Sequence, residues 1–79
     1  MDGKAKYFLL YKYLITRKSK SIKLHKKQIE KIVGFNLPKS SQVNSWWTNN
    51  PENGHYHAYA WVKAGFSARV LGEDVVFIR

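Results

Sequence analysis

Basic side chains are the residues of this sequence with the clearest chemical potential. Residues 1–40 hold eleven lysines and arginines against two carboxylates, whereas residues 41–79 hold three of each, so the entire net charge of +9 falls in the first half. The densest run spans residues 17–27. Such one-sided charge indicates a polyanionic partner. The alternative is a solvated basic face that serves solubility, which would not need to be clustered.

Phosphate contact is the chemistry that residues 17–27 suit best. Lysine and arginine side chains and the amide N–H groups at a helix start can both hold phosphate oxygens. A helix is predicted to start at residues 25–27, so we expect a phosphate cradle there and binding that weakens as salt rises. A mobile, solvated loop is the alternative. The side chains expected to contact phosphate are Arg17, Lys18, Lys20, Lys23, Lys26 and Lys27.

Amide side chains in the second half could read base edges. Gln42 and Asn44 fall on the side of a predicted helix that faces away from its apolar residues, as do Ser45 and Asn49. Asparagine and glutamine form paired hydrogen bonds with adenine in the major groove. The sequence therefore predicts base contacts from Gln42 and Asn44, with an ordinary solvated helix face as the alternative.

A tyrosine-bearing face follows on the next predicted helix. Tyr56, Tyr59 and Lys63 are spaced i, i+3 and i+7, so they share one face that could meet a groove or stack on a strand of bases. The alternative is that one of the tyrosines packs into the core. Arg69, in the predicted C-terminal hairpin, completes the expected nucleic-acid contacts.

Catalysis and metal binding find little support in the residue types. The five carboxylates are scattered, and there is no cysteine for a thiolate site or a disulfide. His55 and His57 would face apart on a helix, so they are a poor metal pair. No phosphate-binding loop or nucleophile elbow is present. We expect no enzymatic activity, no cofactor and no metal.

Four short helices are expected to position these side chains. The first, from about Lys4 to Thr16, has its apolar stripe at residues 7, 10, 11 and 14. The second runs from about Lys26 to Val33, with His25 and Gln28 as an imperfect capping box and Gly34 as its C-terminal cap. The third runs from Ser40 or Ser41 to about Thr48, and the fourth from about His55 to Ala64, before Gly65.

Strands complete an α+β pattern. Ile22 and Leu24 alternate with polar residues and predict a very short strand between the first two helices. After the fourth helix, two alternating runs flank Gly72-Glu73 and predict a β-hairpin. Of the neighbouring Trp46 and Trp47, at least one is expected in the core. The expected fold is four short helices with a C-terminal hairpin, in one compact domain over residues 1–79.

This element order resembles that of a winged helix-turn-helix domain with one extra helix. The resemblance implies that the helix before the hairpin enters the major groove while the hairpin tip touches the DNA backbone. The connector at residues 34–39 is longer than the turn of a simple helix-turn-helix.

A narrower resemblance rests on short motifs spread over most of the chain. They are Ile29-Glu-Lys-Ile-Val-Gly34, Leu37-Pro-Lys-Ser-Ser41, Trp46-Trp-Thr-Asn49 with His55, and Ala60-Trp-Val-Lys-Ala-Gly65. This pattern is similar to that of a small uncharacterised domain of bacteria and phages. The resemblance supports the element boundaries and a prokaryotic or phage origin, and it implies no activity.

The function that the sequence favours is non-enzymatic binding of nucleic acid, with double-stranded DNA ahead of single strands and RNA. The alternative is a phage or mobile-element interaction protein, an inhibitor or accessory subunit, that docks its basic face on an acidic protein. A homodimer would be one way to bury more surface in so small a domain. No stretch approaches a membrane span, so the expected location is the cytoplasm of a bacterial or phage-infected cell.

Overall fold

The computed structural model describes residues 6–51 and 55–79, which form an α+β fold. The predicted start of the first helix at Lys4 lies outside the described residues. Over the described part, three α-helices and three strands are joined by three 3₁₀ turns. In chain order the elements are α1 (Phe8–Ile15), β1 (Ser21–His25), α2 (Lys26–Val33), 3₁₀ turns at Lys39–Gln42, Asn44–Trp47 and Tyr56–Ala58, α3 (Tyr59–Val62), β2 (Ser67–Leu71) and β3 (Asp74–Ile78).

The three strands make one antiparallel sheet in the order β1-β3-β2. The predicted hairpin is confirmed: β2 and β3 flank Gly72-Glu73, and Gly72 has the positive φ of 63° that such tight turns require. The predicted short strand is confirmed as β1, and it pairs with β3 from Ser21 opposite Ile78 to His25 opposite Asp74. The sheet therefore brings residues 20–25 beside the C-terminus.

Alternation along the strands gives the sheet one buried and one open face. Leu24, Val75, Phe77 and Ala68 are buried beneath the helices. Lys23, Val76 and Arg69 lie in one row across the opposite face, since Val76 is opposite both basic residues in the strand register. This open face carries two of the predicted nucleic-acid contacts.

Local capping explains why α2 begins and ends where the sequence predicts. The imidazole Nδ1 of His25 accepts a hydrogen bond from the Lys27 N–H (3.0 Å), and the side-chain oxygen of Gln28 accepts one from the His25 N–H (2.8 Å). Gly34 ends the helix with φ of 86°, and its N–H donates to the Glu30 carbonyl. Both ends thus satisfy backbone groups that a helix leaves unpaired.

The expectation of four helices is wrong over residues 39–64. Residues 39–47 form two 3₁₀ turns that meet at an extended Val43, and the fourth predicted helix is a 3₁₀ turn followed by the single-turn α3. Two side-chain bonds favour the tighter turns: Ser41 Oγ donates to the Pro38 carbonyl (2.6 Å), and Trp47 Nε1 donates to the Ser41 carbonyl (2.9 Å). Tertiary packing of the tryptophans overrides local helix preference here.

Aromatic rings form the centre of the core. The prediction for the tryptophan pair is confirmed, because Trp46 and Trp47 are both buried. Trp61 is fully buried and contacts both of them as well as Phe77, with ring centroids 5.6 to 6.5 Å apart. We call Trp46, Trp47, His57, Trp61 and Phe77 the aromatic core. It joins the 3₁₀ region to the sheet.

Candidate nucleic-acid interface

The loop between α1 and β1 is tied to the last residue of the chain. The Arg79 N–H donates to the Lys20 carbonyl (2.8 Å), and its guanidinium donates to the carbonyls of Arg17 (2.5 Å) and Ser19 (3.3 Å). The same guanidinium lies 4.6 Å from the centre of the Phe66 ring. These contacts fix the loop backbone, so the side chains of Arg17, Lys18 and Lys20 are displayed from an anchored loop.

Side chains in this loop are exposed to solvent. Arg17, Lys18 and Lys20 are exposed, as is Arg79. The Arg17 guanidinium stacks 4.0 Å from the centre of the Tyr13 ring, an arrangement that orients a cation without neutralising it. Because no carboxylate of the described residues forms an ion pair with any of the four, their charge remains available to an anion.

The open face of the sheet extends this charge. Lys23 on β1 and Arg69 on β2 flank Val76, two strand spacings apart, or roughly 10 Å. Both are exposed. Lys23 Nζ lies 3.6 Å from an oxygen of Asp74, which is the one ion pair among the described residues. We call Arg17, Lys18, Lys20, Lys23, Arg69 and Arg79 the basic surface.

At the start of α2, Lys26 and the backbone N–H groups are arranged differently from the predicted phosphate cradle. The Lys26 side chain is only 6% exposed, and its N–H already donates to the Glu73 carbonyl (2.9 Å). The Lys27 N–H is bonded to His25. The amide groups of Lys26 and Lys27, on which the predicted cradle depends, are thus already bonded within the domain. Lys27 itself is exposed on the first turn of α2.

The amide side chains fall into two groups. Gln42 and Asn44 are exposed, but they lie on the separate 3₁₀ turns rather than on one helix face. Asn49 has a structural task instead. Its side-chain oxygen accepts bonds from the Ala68 N–H (2.7 Å) and from Trp61 Nε1 (3.1 Å), while its nitrogen donates to the Ala68 carbonyl (3.2 Å). It therefore pairs with the outer edge of β2 as a short strand would.

The tyrosine face has the geometry that its spacing predicts. The rings of Tyr56 and Tyr59 lie nearly parallel with centroids 6.4 Å apart, and Lys63 Nζ lies 5.3 Å from the centre of the Tyr59 ring. Tyr56 is exposed and Tyr59 is half-buried. A cleft of about 200 Å³ lies beside them, where α3 meets α1. It is lined by Phe8, Tyr11, Tyr59, Ala60 and Lys63.

His57 is part of the core. Its ring stacks on Trp46 with centroids 3.7 Å apart, and its Nε2 bonds to the Trp46 carbonyl (2.5 Å). A carbonyl oxygen can only accept a hydrogen bond, so Nε2 carries the proton, and a neutral imidazole ring is sufficient to form this bond. Burial is the main cause that lowers the pKa of His57; the hydrogen bond to Trp46 acts in the opposite direction, and nearby His55 lowers it further. Among residues 6–51 and 55–79, no three acidic, histidine or cysteine side chains gather as a metal site would require.

Two functional residues escape the sequence reasoning. Arg79 looks like an isolated terminal charge until β1 and β3 pair; the only signal was a basic residue directly after a predicted strand. Asn49 lies between turn-forming residues, and its position two residues after Trp47 gave no direct sign of a clamp on β2. Both act over long separations, 62 residues for Arg79 with Arg17 and 19 for Asn49 with Ala68.

Fold and surface together define a small α+β domain with an aromatic core and a solvent-exposed basic surface. Residues 7–79 match the family described as a domain of unknown function, DUF7662, and the chain belongs to that family. No curated protein and no solved structure matches the chain. None of the helices within the described ranges has the length and apolar character needed to cross a membrane.

Proposed function

We propose that this domain binds nucleic acid, in the first place duplex DNA, by gripping phosphates with the basic surface. The observation that carries the proposal is the Arg79 anchor. It fixes the backbone of the 17–20 loop directly before β1, the strand whose open face carries Lys23, and β2 adds Arg69 to that face, so the proposed surface draws on cations from three separate stretches of the chain. Because the loop backbone is already ordered, its side chains can contact phosphate oxygens at a smaller entropic cost than side chains on a mobile loop.

The order of elements also supports this proposal. A helix, a strand, further helical turns and a hairpin, with the first strand paired to the last, is an arrangement that resembles a winged helix-turn-helix domain. In that comparison the β2–β3 hairpin is the wing and Arg69 lies on it. The element that corresponds to the recognition helix is the single-turn α3, and the exposed side chains near it include tyrosines. Phosphate contact rather than base reading is therefore the main expected source of affinity.

The proposed setting is the cytoplasm of a bacterial or phage-infected cell, where such a protein would act as a small regulator or accessory factor without catalysis. The proposed contacts are the basic surface, with a secondary set that consists of the exposed Lys27, Gln42, Asn44, Tyr56 and Lys63 and the half-buried Tyr59. Lys26 is left out because it is buried.

Fluorescence anisotropy with a labelled 20-base-pair duplex, repeated across a range of salt concentrations, tests the proposal. We expect the logarithm of the affinity to fall linearly with the logarithm of the salt concentration. The double variant Lys18→Gln/Lys20→Gln should lower the slope by about 2, since each lost phosphate contact removes about 1. The matched control is Lys39→Gln, which removes an exposed charge on the 3₁₀ turn away from the basic surface.

Absence of affinity for any duplex at low salt would overturn the proposal. Equal losses from Lys18→Gln and Lys39→Gln would also contradict it, because they would show attraction by net charge alone. Binding of single strands with the same slope and no duplex binding would move the proposal to single-stranded DNA or RNA.

A further inference from the structure

The outer face of α1 is unusually apolar for a solvent-exposed helix surface. Phe8 is 52% exposed, Leu9 50% and Ile15 47%. The opposite side of the helix buries Leu10 and Leu14 in the core. Phe8 and Ile15 lie on one side of the helix together with Lys12, whereas Leu9 points about 100° away from Phe8. Large apolar side chains that are exposed next to one another have the composition of an interface.

The cleft beside α1 gives this face depth. One side of the cleft is lined by Phe8 and Tyr11 of α1. The other side is lined by Tyr59 and Ala60 of α3 and by Lys63, which directly follows α3. Its volume of about 200 Å³ can accept a large side chain of a partner. Interfaces concentrate their binding energy where a large side chain fills such a pocket. We call Phe8, Tyr11, Ile15 and this cleft the α1 face.

Among the described residues, the charges on and beside the α1 face are positive. Lys12 projects from the same side of α1 as Phe8, four residues away, and Lys63 lines the cleft. The described carboxylates lie elsewhere: Glu30 on α2, with an oxygen bonded to the Leu37 N–H, and Glu73 and Asp74 at the hairpin. A second copy of the chain would bring the same cations to the interface, which disfavours self-association.

We propose that the α1 face binds an amphipathic, acidic helix of a partner protein. Its apolar side would lie along Phe8 and Ile15 and place one large side chain in the cleft, while its carboxylates would meet Lys12 and Lys63. The rings of Phe8 and Tyr11 could also stack on bases, so the test must distinguish a peptide from single-stranded DNA as the occupant of this face. The proposal is independent of DNA binding by the basic surface.

Selection from a displayed library of random 16-residue peptides on the nuclease-treated full chain tests this idea. We expect enriched peptides to carry net negative charge and leucine or aromatic residues at helical spacing. For a synthesised winner, Phe8→Ser and Ile15→Ser should each weaken binding at least tenfold, as measured by fluorescence anisotropy. The matched control is Val43→Ser, at a residue that is 57% exposed outside the face and should change affinity less than twofold. Circular dichroism confirms that each variant is folded.

Several outcomes would overturn the proposal. Enriched peptides that are neutral or basic would exclude an acidic partner. An equal loss of peptide affinity in Val43→Ser and Phe8→Ser would exclude the α1 face as the binding site. A concentration-dependent dimer in sedimentation equilibrium that Phe8→Ser dissociates would make the occupant a second copy. Loss of single-stranded DNA binding in Phe8→Ser, with no peptide enriched, would assign the face to nucleic acid. None of these results affects the salt dependence predicted for the basic surface.

Discussion

The basic surface and the aromatic core use polar groups in opposite ways. In the core, the polar atoms of the rings are paired: Trp47 with Ser41, His57 with Trp46, and Trp61 with Asn49 at the edge of the core. At the basic surface, backbone atoms are paired through Arg79, but the charged ends of Lys18 and Lys20 extend into solvent. The comparison separates residues that build the domain from residues that can contact a partner.

This difference changes the meaning of the sequence motifs. Ser41, Trp47, Asn49 and Trp61 belong to the motifs that suggested a small prokaryotic domain, and all of them contribute to the core network. These motif residues therefore stabilise the fold, and they carry no direct information about a ligand. Most candidate contacts lie instead among the lysines and arginines outside these motifs, with Lys63 as an exception. Four substitutions test this division, in order of decreasing effect on the free energy of unfolding.

Trp61→Ala should have the largest effect. The ring is fully buried among Trp46, Trp47 and Phe77, and losing such a side chain costs about 3–5 kcal/mol. A domain of this size has only roughly 4–12 kcal/mol in total, so the variant should be largely unfolded or have a much lower urea midpoint by circular dichroism. Tyr56→Ala, an exposed aromatic, is the control; an equal loss there would contradict the division between core and surface.

Asn49→Ala should have the next largest effect. It leaves the Ala68 N–H, the Ala68 carbonyl and Trp61 Nε1 without their bonded partner, at a cost of about 1–3 kcal/mol. Urea denaturation followed by tryptophan fluorescence measures this change. Asn44→Ala, at an exposed position, should alter the free energy of unfolding by less than about 0.5 kcal/mol. Similar costs for both variants would show that the clamp on β2 is not formed.

His57 should make stability depend on pH. Burial lowers the pKa of His57 in the folded state, so the unfolded chain binds the proton more readily. The contribution to stability is therefore complete above the ordinary histidine value of 6.5 and is lost as the pH falls below it, with a slope of at most about 1.4 kcal/mol per pH unit. We expect a lower urea midpoint at pH 5.5 than at pH 7.5 and a smaller difference in His57→Gln. An unchanged difference would assign the effect to other groups.

Lys20→Gln should have the smallest effect on folding and a clear effect on binding. The side chain is exposed, and only its backbone carbonyl is bonded, to the Arg79 N–H. The free energy of unfolding should change by less than about 0.5 kcal/mol, while duplex affinity at low salt falls. A loss of stability comparable to that of Asn49→Ala would show that the Lys20 side chain stabilises the fold, and it would contradict the distinction between the aromatic core and the basic surface.

How far the sequence could predict the candidate site follows from the range of each contact. The exposure of Lys18 and Lys20 follows from a polar run without apolar periodicity, so the basic loop was visible in the sequence. The burial of Lys26 was not visible in the sequence. This burial results from the pairing of β1 with β3, whose partner residues lie about fifty positions apart. The same pairing brings Arg79 to the loop. The open sheet face that carries Lys23 and Arg69 exists only once three strands from two ends of the chain have joined.

The amino-acid sequence by itself determined α1, β1, α2 and the β2–β3 hairpin, since periodicity, the His25 and Gln28 cap, and Gly34 and Gly72 all act within a few residues. Tertiary structure decided the 3₁₀ turns, the Asn49 clamp and the Arg79 anchor. For the Asn49 clamp and the Arg79 anchor, a side chain satisfies backbone groups in a distant part of the chain. The side-chain bonds of the 3₁₀ turns join residues only three and six positions apart, and it is the burial of Trp46 and Trp47 in the core that depends on the rest of the fold. A local pattern can place a helix or a turn, but it cannot specify which distant carbonyl or amide a side chain will reach.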